Sequence, residues 1–320
     1  MSQQDEASAP RVEAGRPKVI VAVCTHRRNE QLRRLLAHLV EAAAEARQLC
    51  AVGGVVVDDN VDGSARPVVA EFADRLELGV HYRLSGEQNI SIARNVALEA
   101  ALTNGDWIAM TDDDCVPDRR WLVELVSGQA RTGADAVSGP MVRRAPASSP
   151  RWLVDQPFLE QGVPRWERDT ELWFASTHNS MLSATWVRRH PDHRFDPQLG
   201  RLGGEDMLFF KTAHRRGLRI TYSPDAIVFE DQPVERLSYG FFLKQALWLG
   251  NSSLVTSVQG GETSRTRMVA HGLARLGRAV VHPLQRLARR RTPQFRYSVA
   301  LAAGGVGVLL GTLGVRIRHH

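Results

Sequence analysis

Three consecutive carboxylates, Asp112-Asp113-Asp114, close the short apolar run Asp106–Met110 after Thr111. Adjacent like charges repel, so the triplet needs a cation, a buried partner or water to compensate it. Hard oxygen ligands of this kind suit Mg²⁺ or Mn²⁺. Side chains alternate along extended backbone, which groups Asp112 with Asp114 and turns Asp113 the other way. An ion held by one or two carboxylates keeps open positions for a diphosphate. A solvated acidic turn is the plain alternative. A calcium EF-hand is excluded by register: counted from Asp112, Pro117 stands where glycine is required and Val123 where glutamate is required.

Other polar clusters follow apolar runs in the same way: Thr25-His26-Arg27-Arg28, Asp58-Asp59-Asn60 and, behind Gly203-Gly204, the acids Glu205-Asp206. Acids in a first helical turn are favourable on electrostatic grounds alone. Two glycines before them would let backbone approach a sugar closely. Asp58, Asp59 and Asp62 are also candidate turn formers, with Asp62-Gly63 the expected turn, and Ser91 is the expected N-cap of the helix carrying Arg94 and Asn95. His178 reads as a structural histidine at a strand end, and His190 and His193 lack the spacing of a zinc pair. No GxSxG occurs and no GxGxxG follows the first strand, which removes the hydrolase and dinucleotide-binding readings.

The elements needed to position these clusters are legible as apolar patterning. Strands are expected at Lys18–Cys24, Gly53–Val57, Val80–Leu84, Asp106–Met110 and Ala134–Gly139. Helices are expected between them, at Asn29–Cys50, 65–78, Ser91–Thr103 and 119–131. That alternation implies an α/β fold with a mainly parallel central sheet, right-handed crossovers and flanking helices. Ligands then bind beyond the carboxyl ends of the strands, where the clusters at Thr25, Asp58 and Asp112 fall. Residues 141–173, broken by Pro146, Pro150, Pro157 and Pro164, read as a surface loop over the site. Order resumes near Trp173–Leu182, continues through a helix at Glu205–Arg216 and strands at Leu218–Tyr222 and Ala226–Phe229, and turns helical from Arg236.

The 320 residues are 43% hydrophobic and 24% charged, enough for a substantial core, and the net charge is +6. The basic excess concentrates in residues 265–296, which hold no acid. Three cysteines without a CxxC pair argue against a disulfide framework and fit a reducing cytosol. No secretory signal is visible, and residues 1–17 read as a disordered leader.

The segment Thr111-Asp112-Asp113-Asp114-Cys115-Val116-Pro117-Asp118, followed by Trp121-Leu122, resembles the D-x-D region of family 2 glycosyltransferases. Val23–Arg28, Val57–Asn60, Ser91–Asn95 and Gly203–Asp206 reinforce the resemblance in order, so that it covers about residues 18–250. It implies a GT-A fold of the nucleotide-diphospho-sugar transferase type, an inverting transfer, Mn²⁺ or Mg²⁺ as cofactor, and a nucleoside-diphosphate sugar, UDP-sugar by preference. By the same resemblance Thr25 and Arg27 would line the nucleoside pocket. Asp58 would accept from a base N–H, with Asn60 beside it. Arg94, Asp112 and Asp113 would belong to the donor site and Asp114 would hold the metal. Asp206 would be the general base, with Glu205 next to it. Many relatives place a metal- or phosphate-binding histidine near residue 230, where this chain has Glu230; Glu230 is a candidate substitute. Arg236 and Lys244 are candidate phosphate contacts.

The chain thus divides into the leader 1–17, a GT-A catalytic domain 18–235 and a basic, apolar, membrane-associating helical extension 236–320. Residues 298–315 are uncharged and just long enough to approach a membrane span, and residues 266–291 suit an anionic leaflet. The expected location is cytoplasmic, at the inner face of the cytoplasmic membrane, with a glycan or lipid-linked acceptor. Nucleic acid is not an expected partner, because no aromatic residues interleave the arginines. Two other classes remain open. A metal-dependent nucleotidyltransferase should carry a glycine-rich phosphate loop after the first strand, and Thr25–Asn29 holds no glycine. A non-catalytic carbohydrate- or membrane-binding protein has no need of Asp112, Asp114 and Asp206.

Overall fold

The apolar run that opens the domain forms β1 (Lys18–Thr25), which pairs in parallel with β2 (Ala51–Asp58) along its whole length, from Lys18↔Ala51 to Thr25↔Asp58. This computed structural model describes residues 15–159, 166–261 and 263–317; most of the expected leader, residues 1–14, lies outside them. Between the two strands, α1 (Asn29–Ala46) buries Leu32, Leu35, Leu36 and Leu39 on one face, as its spacing predicts. It stops at Ala46, and Cys50 is turned into β2 by its N–H bonding Ala46 O at 3.1 Å.

The remaining elements are α2 (Arg66–Ala70), β3 (Val80–Leu84), α3 (Ile90–Leu102), β4 (Trp107–Met110), β5 (Cys115–Pro117), α4 (Trp121–Thr132), β6 (Ala136–Ser138), β7 (Met141–Arg144), α5 (Arg151–Val154), β8 (Glu171–Leu172), β9 (Ser180–Ser183), α6 (Ala184–Arg189), α7 (Glu205–Arg215), β10 (Ile220–Tyr222) and β11 (Val228–Asp231). The main sheet runs β3-β2-β1-β4-β9-β6-β10-β8. Its first four strands are parallel, and β9 enters antiparallel between β4 and β6. The strand order reverses between β1 and β4, which opens the crevice at their carboxyl ends where ligands of such sheets bind. A small second sheet, β5-β11-β7, lies beside that crevice and pairs Glu230 with both Cys115 and Arg143.

Three expectations change. The helix expected at 65–78 is only five residues long, because the chain continues in i→i+3 turns that return Leu76 to the core. His178 lies in a turn before β9, not at the end of a strand. Of the stretch 141–173 expected as a surface loop, residues 160–165 lie outside the described residues and 141–159 are not a loop: β7 joins the second sheet, while Leu153 and Phe158 build a separate apolar cluster with Leu237, Phe242 and Ala300. Edge-to-face aromatic contacts of Trp152 with Phe158, Tyr239 and Phe242 fasten this segment to the C-terminal helices.

Beyond a 3₁₀ turn at Val234–Arg236 come α8 (Tyr239–Gln259), α9 (Arg265–Ala288) and α10 (Phe295–Thr312). α10 is the one helix among the described residues long and apolar enough to cross a membrane. Its glycines have a different use. A Cβ on Gly307 would stand 2.0 Å from Leu247 O of α8, and one on Gly305 would stand 3.0 Å from Gly272 O of α9. The absence of side chains lets α10 lie directly against both neighbours.

Candidate active site

The carboxyl ends of β1 and β4 bring the first two clusters together. Thr25 donates its hydroxyl to Asp113 Oδ2 at 2.8 Å. Arg28 Nη1 reaches Asp113 Oδ1 and Asp114 Oδ2, both at 2.9 Å. The expected alternation does not hold, because residues 112–115 form a turn in which Cys115 N donates to Asp112 O at 3.0 Å: Asp113 is buried, Asp112 and Asp114 are half-buried, and Arg28 meets Asp113 and Asp114 together. Thr25 and Asp113 therefore strut β1 to β4. Burial pushes Asp114 up to about 6; Arg28 opposes the rise, and Asp112, Asp113 and Glu230 add to it.

Helix α3 delivers Arg94. Its N-cap is Asn89, whose side chain accepts from the N–H groups of Ser91 and Ile92; Ser91, the expected cap, instead buries a hydroxyl without a partner. Arg94 is nearly buried and bridges Asp112 Oδ1, at 3.2 Å, to Glu205 Oε1. The neighbouring acids hold its guanidinium firmly charged against the effect of burial. Burial raises Glu205, Arg94 opposes that shift, and Glu205 Oε2 has no partner.

Asp58 stands at the end of β2, in register with Thr25, but its carboxylate is turned to the protein's own backbone. It is fully buried, and its carboxylate accepts from Asn60 N at 3.0 Å and Ala65 N at 2.8 Å. It closes the loop that follows β2. The N–H two residues on is the usual partner of a turn-forming aspartate, a local signal that was readable in Asp58-Asp59-Asn60. Asp59 is the carboxylate at this strand end that joins the site's electrostatics, near Cys24, and Ser85 donates a hydroxyl to it. Asn60 links the loop to Arg27, whose Nε is 3.3 Å from Asn60 Oδ1. Arg27 sits at φ +57°, an uncommon conformation for a non-glycine residue.

Asp206 and Glu205 open α7, where the helix dipole favours their charge. Asp206 Oδ1 accepts from Met207 N at 2.6 Å, and Oδ2 accepts from the Ser176 hydroxyl. Ser176 Oγ is in turn 2.7 Å from His178 Nδ1. A serine has one proton to donate; because it goes to Asp206, His178 Nδ1–H must be the donor to Ser176. Burial holds His178 below its ordinary pKa, which keeps it neutral. Ser176 and Arg28 were not anticipated as parts of the site. Ser176 carries no motif, and Arg28 stands in a run of basic residues with nothing to single it out. The glycines have another role than the one expected: a Cβ at Gly203 would stand 2.2 Å from the Trp248 ring and one at Gly204 2.6 Å from Thr256, at φ +81° and +91°. They admit α8, whose Trp248 Nε1 donates to Leu202 O at 3.0 Å.

Glu230 is not a free ligand. Its two oxygens meet Arg143 Nε at 3.2 Å and Arg236 Nη1 at 2.9 Å. Arg236 Nη1 also lies 3.7 Å from Asp114. Lys244 is exposed on α8 and makes no ion pair among the described residues. Among the described residues no three His, Cys, Asp or Glu side chains converge as a metal cage. Asp114, crowded by like charges, fits an ion only of the kind that one or two carboxylates share with a diphosphate.

Residues 20–194 match the family model described as Glycosyl transferase family 2. The chain is 33% identical over 238 residues, 72% of each chain, to the succinoglycan biosynthesis protein ExoM of Rhizobium meliloti (strain 1021). Among solved structures it resembles S. aureus TarS 1–349 in complex with UDP-GlcNAc, at a TM-score of 0.55 and 16% identity, over 91% of this chain and 89% of that one. A second TarS 1–349 crystal structure matches at 0.52 and 19%, over 73% of this chain and 66% of that one.

Proposed function

The chain belongs to glycosyl transferase family 2 and is a glycosyltransferase, and from that premise we propose that it transfers a sugar with inversion from a nucleoside diphosphate, UDP by preference, to a hydroxyl of a glycan or lipid-linked saccharide. The observation that carries this reading is the contrast within one helical turn. Glu205 is locked to Arg94, whereas Asp206 is half-buried and, among the described residues, held only by Ser176 and its own helix.

In this reading Asp206 takes the proton of the acceptor hydroxyl. A well-placed carboxylate contributes about 10²–10⁴-fold as general base. Ser176 and His178 fix its orientation, leaving the other lone pairs for the acceptor. The arginines at the floor of the crevice already face carboxylates, and a diphosphate offers them stronger, bidentate acceptors. Arg28 and Arg236 turn from Asp114 to the phosphates. Asp114 would hold Mn²⁺ or Mg²⁺ together with the donor, and the chemistry such an ion would supply is neutralisation of charge on the diphosphate. Arg94 holds Asp112 toward the ribose or sugar, and Asp59, with Arg27 and Asn60, borders the base. The ExoM name supports polysaccharide assembly as the setting, and UDP-GlcNAc on TarS supports a uridine donor. Three free thiols suit the cytoplasmic side of the membrane.

Calorimetric titration with UDP, GDP, dTDP and CMP, each with and without Mn²⁺, tests the reading. UDP should bind most tightly and Mn²⁺ should strengthen it. Tighter binding of another nucleotide would replace the uridine assignment, and an affinity that ignores Mn²⁺ would remove the metal from Asp114.

A further inference from the structure

α9 buries Met268, Gly272, Ala279 and Pro283. The residue after each of the four is exposed and mostly large and apolar: Val269, Leu273, Val280 and Leu284, with Leu287 continuing the row. Val280 is 66% and Leu284 60% exposed. An unpartnered apolar row thus runs the length of α9, about 100° around the helix from its packed face.

α10 repeats the pattern. Ser298 meets His282 of α9 at 3.1 Å, and Gly305 lies against Gly272 and Leu276. The residues that follow them, Val299 and Val306, are exposed, as are Phe295 and Leu313 in the same row. The two helices are antiparallel, since residue 272 meets 305 and 309 while 282 meets 298. Seen from one end, one winds clockwise and the other anticlockwise. A row lying one step onward from the contact face therefore falls on the same side of both. The rows merge into a single apolar face on the α9–α10 hairpin.

The charges around this face have one sign. No Asp or Glu occurs from Arg265 to the end of the sequence. Arg265, Arg267 and Arg316 stand at one end of the hairpin and Arg289, Arg290 and Arg291 at the other, while Arg278 lies on the far side of α9 from the apolar row. All seven are exposed and make no ion pair among the described residues.

We propose that this face is a docking surface for an anionic lipid bilayer, on which the hairpin lies flat with its apolar side in the interface and its arginines at the headgroups. Amphipathic helices of this composition bind in the plane of the membrane, and basic residues near the surface add attraction to anionic lipid. α10 then supports the surface and does not span the bilayer: its glycine face is occupied by α8 and α9. The proposal is independent of the sugar transferred.

Vesicle co-sedimentation of the full chain tests it, with phosphatidylcholine alone and with phosphatidylglycerol added. The wild type should sediment with the anionic vesicles and stay in solution with the neutral ones. Val280→Glu with Leu284→Glu should lower partitioning at least tenfold without shifting the melting temperature, because both sites are exposed. Arg289, Arg290 and Arg291 changed together to Ala should weaken it on the order of a hundredfold. Partitioning unaffected by the glutamate pair overturns the proposal. So does a dimer, by light scattering, that the same pair dissociates while vesicles are ignored, since the face would then belong to a second copy. Resistance to alkaline carbonate extraction would reinstate α10 as a span.

Discussion

Two populations of arginine divide this molecule. At the crevice, Arg28, Arg94, Arg143 and Arg236 each touch a carboxylate, and Arg28, Arg94 and Arg236 each touch two. On the C-terminal hairpin the exposed arginines have no carboxylate within the segment to meet. The first set is preorganised: its side chains are already ordered, so a phosphate displaces one acceptor and gains another at little entropic cost. The second set has no carboxylate to fix it and, Arg296 over Trp152 and Tyr239 apart, is suited to a surface that presents many charges at no fixed position. Net charge conceals this difference, because the same residue type answers to a point in one region and to a plane in the other.

The largest effect is expected where the paired arginines leave one acid unclaimed. Asp206→Asn should lower kcat by about 10²–10⁴-fold and leave the calorimetric affinity for UDP within about twofold; full activity would remove Asp206 as the base. Arg94→Ala comes next. It strands Glu205, already short of a partner at Oε2, and should destabilise the fold by about 3–5 kcal/mol, read as a fall in the urea midpoint. Arg94→Lys should recover part of that loss. The smallest effect belongs to the hairpin: Arg289, Arg290 and Arg291 changed to Ala should alter stability in solution by no more than about 0.5 kcal/mol per site. A loss as large as that at Arg94 would mean the tail arginines have structural partners after all.

The sheet was readable because buried parallel strands are β-branched runs, and Lys18–Thr25 and Ala51–Asp58 stand out on composition alone. The cluster positions followed from strand ends. Partner choice was not readable. Asp58 and Asp59 are adjacent and chemically alike, and only the loop geometry sends the first to backbone N–H groups. Glu230 looked like a spare ligand because β7, which supplies Arg143 beside it, lay inside a stretch read as loop. Ser176 became visible only when a turn brought it to α7, thirty residues downstream.

The pair Gly203-Gly204 also bears on how substitutions here would be interpreted. Any side chain at 203 meets the Trp248 ring, and any at 204 meets Thr256, so a variant at either glycine dislodges α8 before it reaches a substrate. Loss of activity in such a variant would be easily mistaken for a defect in chemistry, since the acids are the next two residues. A smaller residue at 248 would clear the space at Gly203 but leave its φ of +81°, so of the larger residues only one that tolerates the left-handed region, such as Asn, could follow it there.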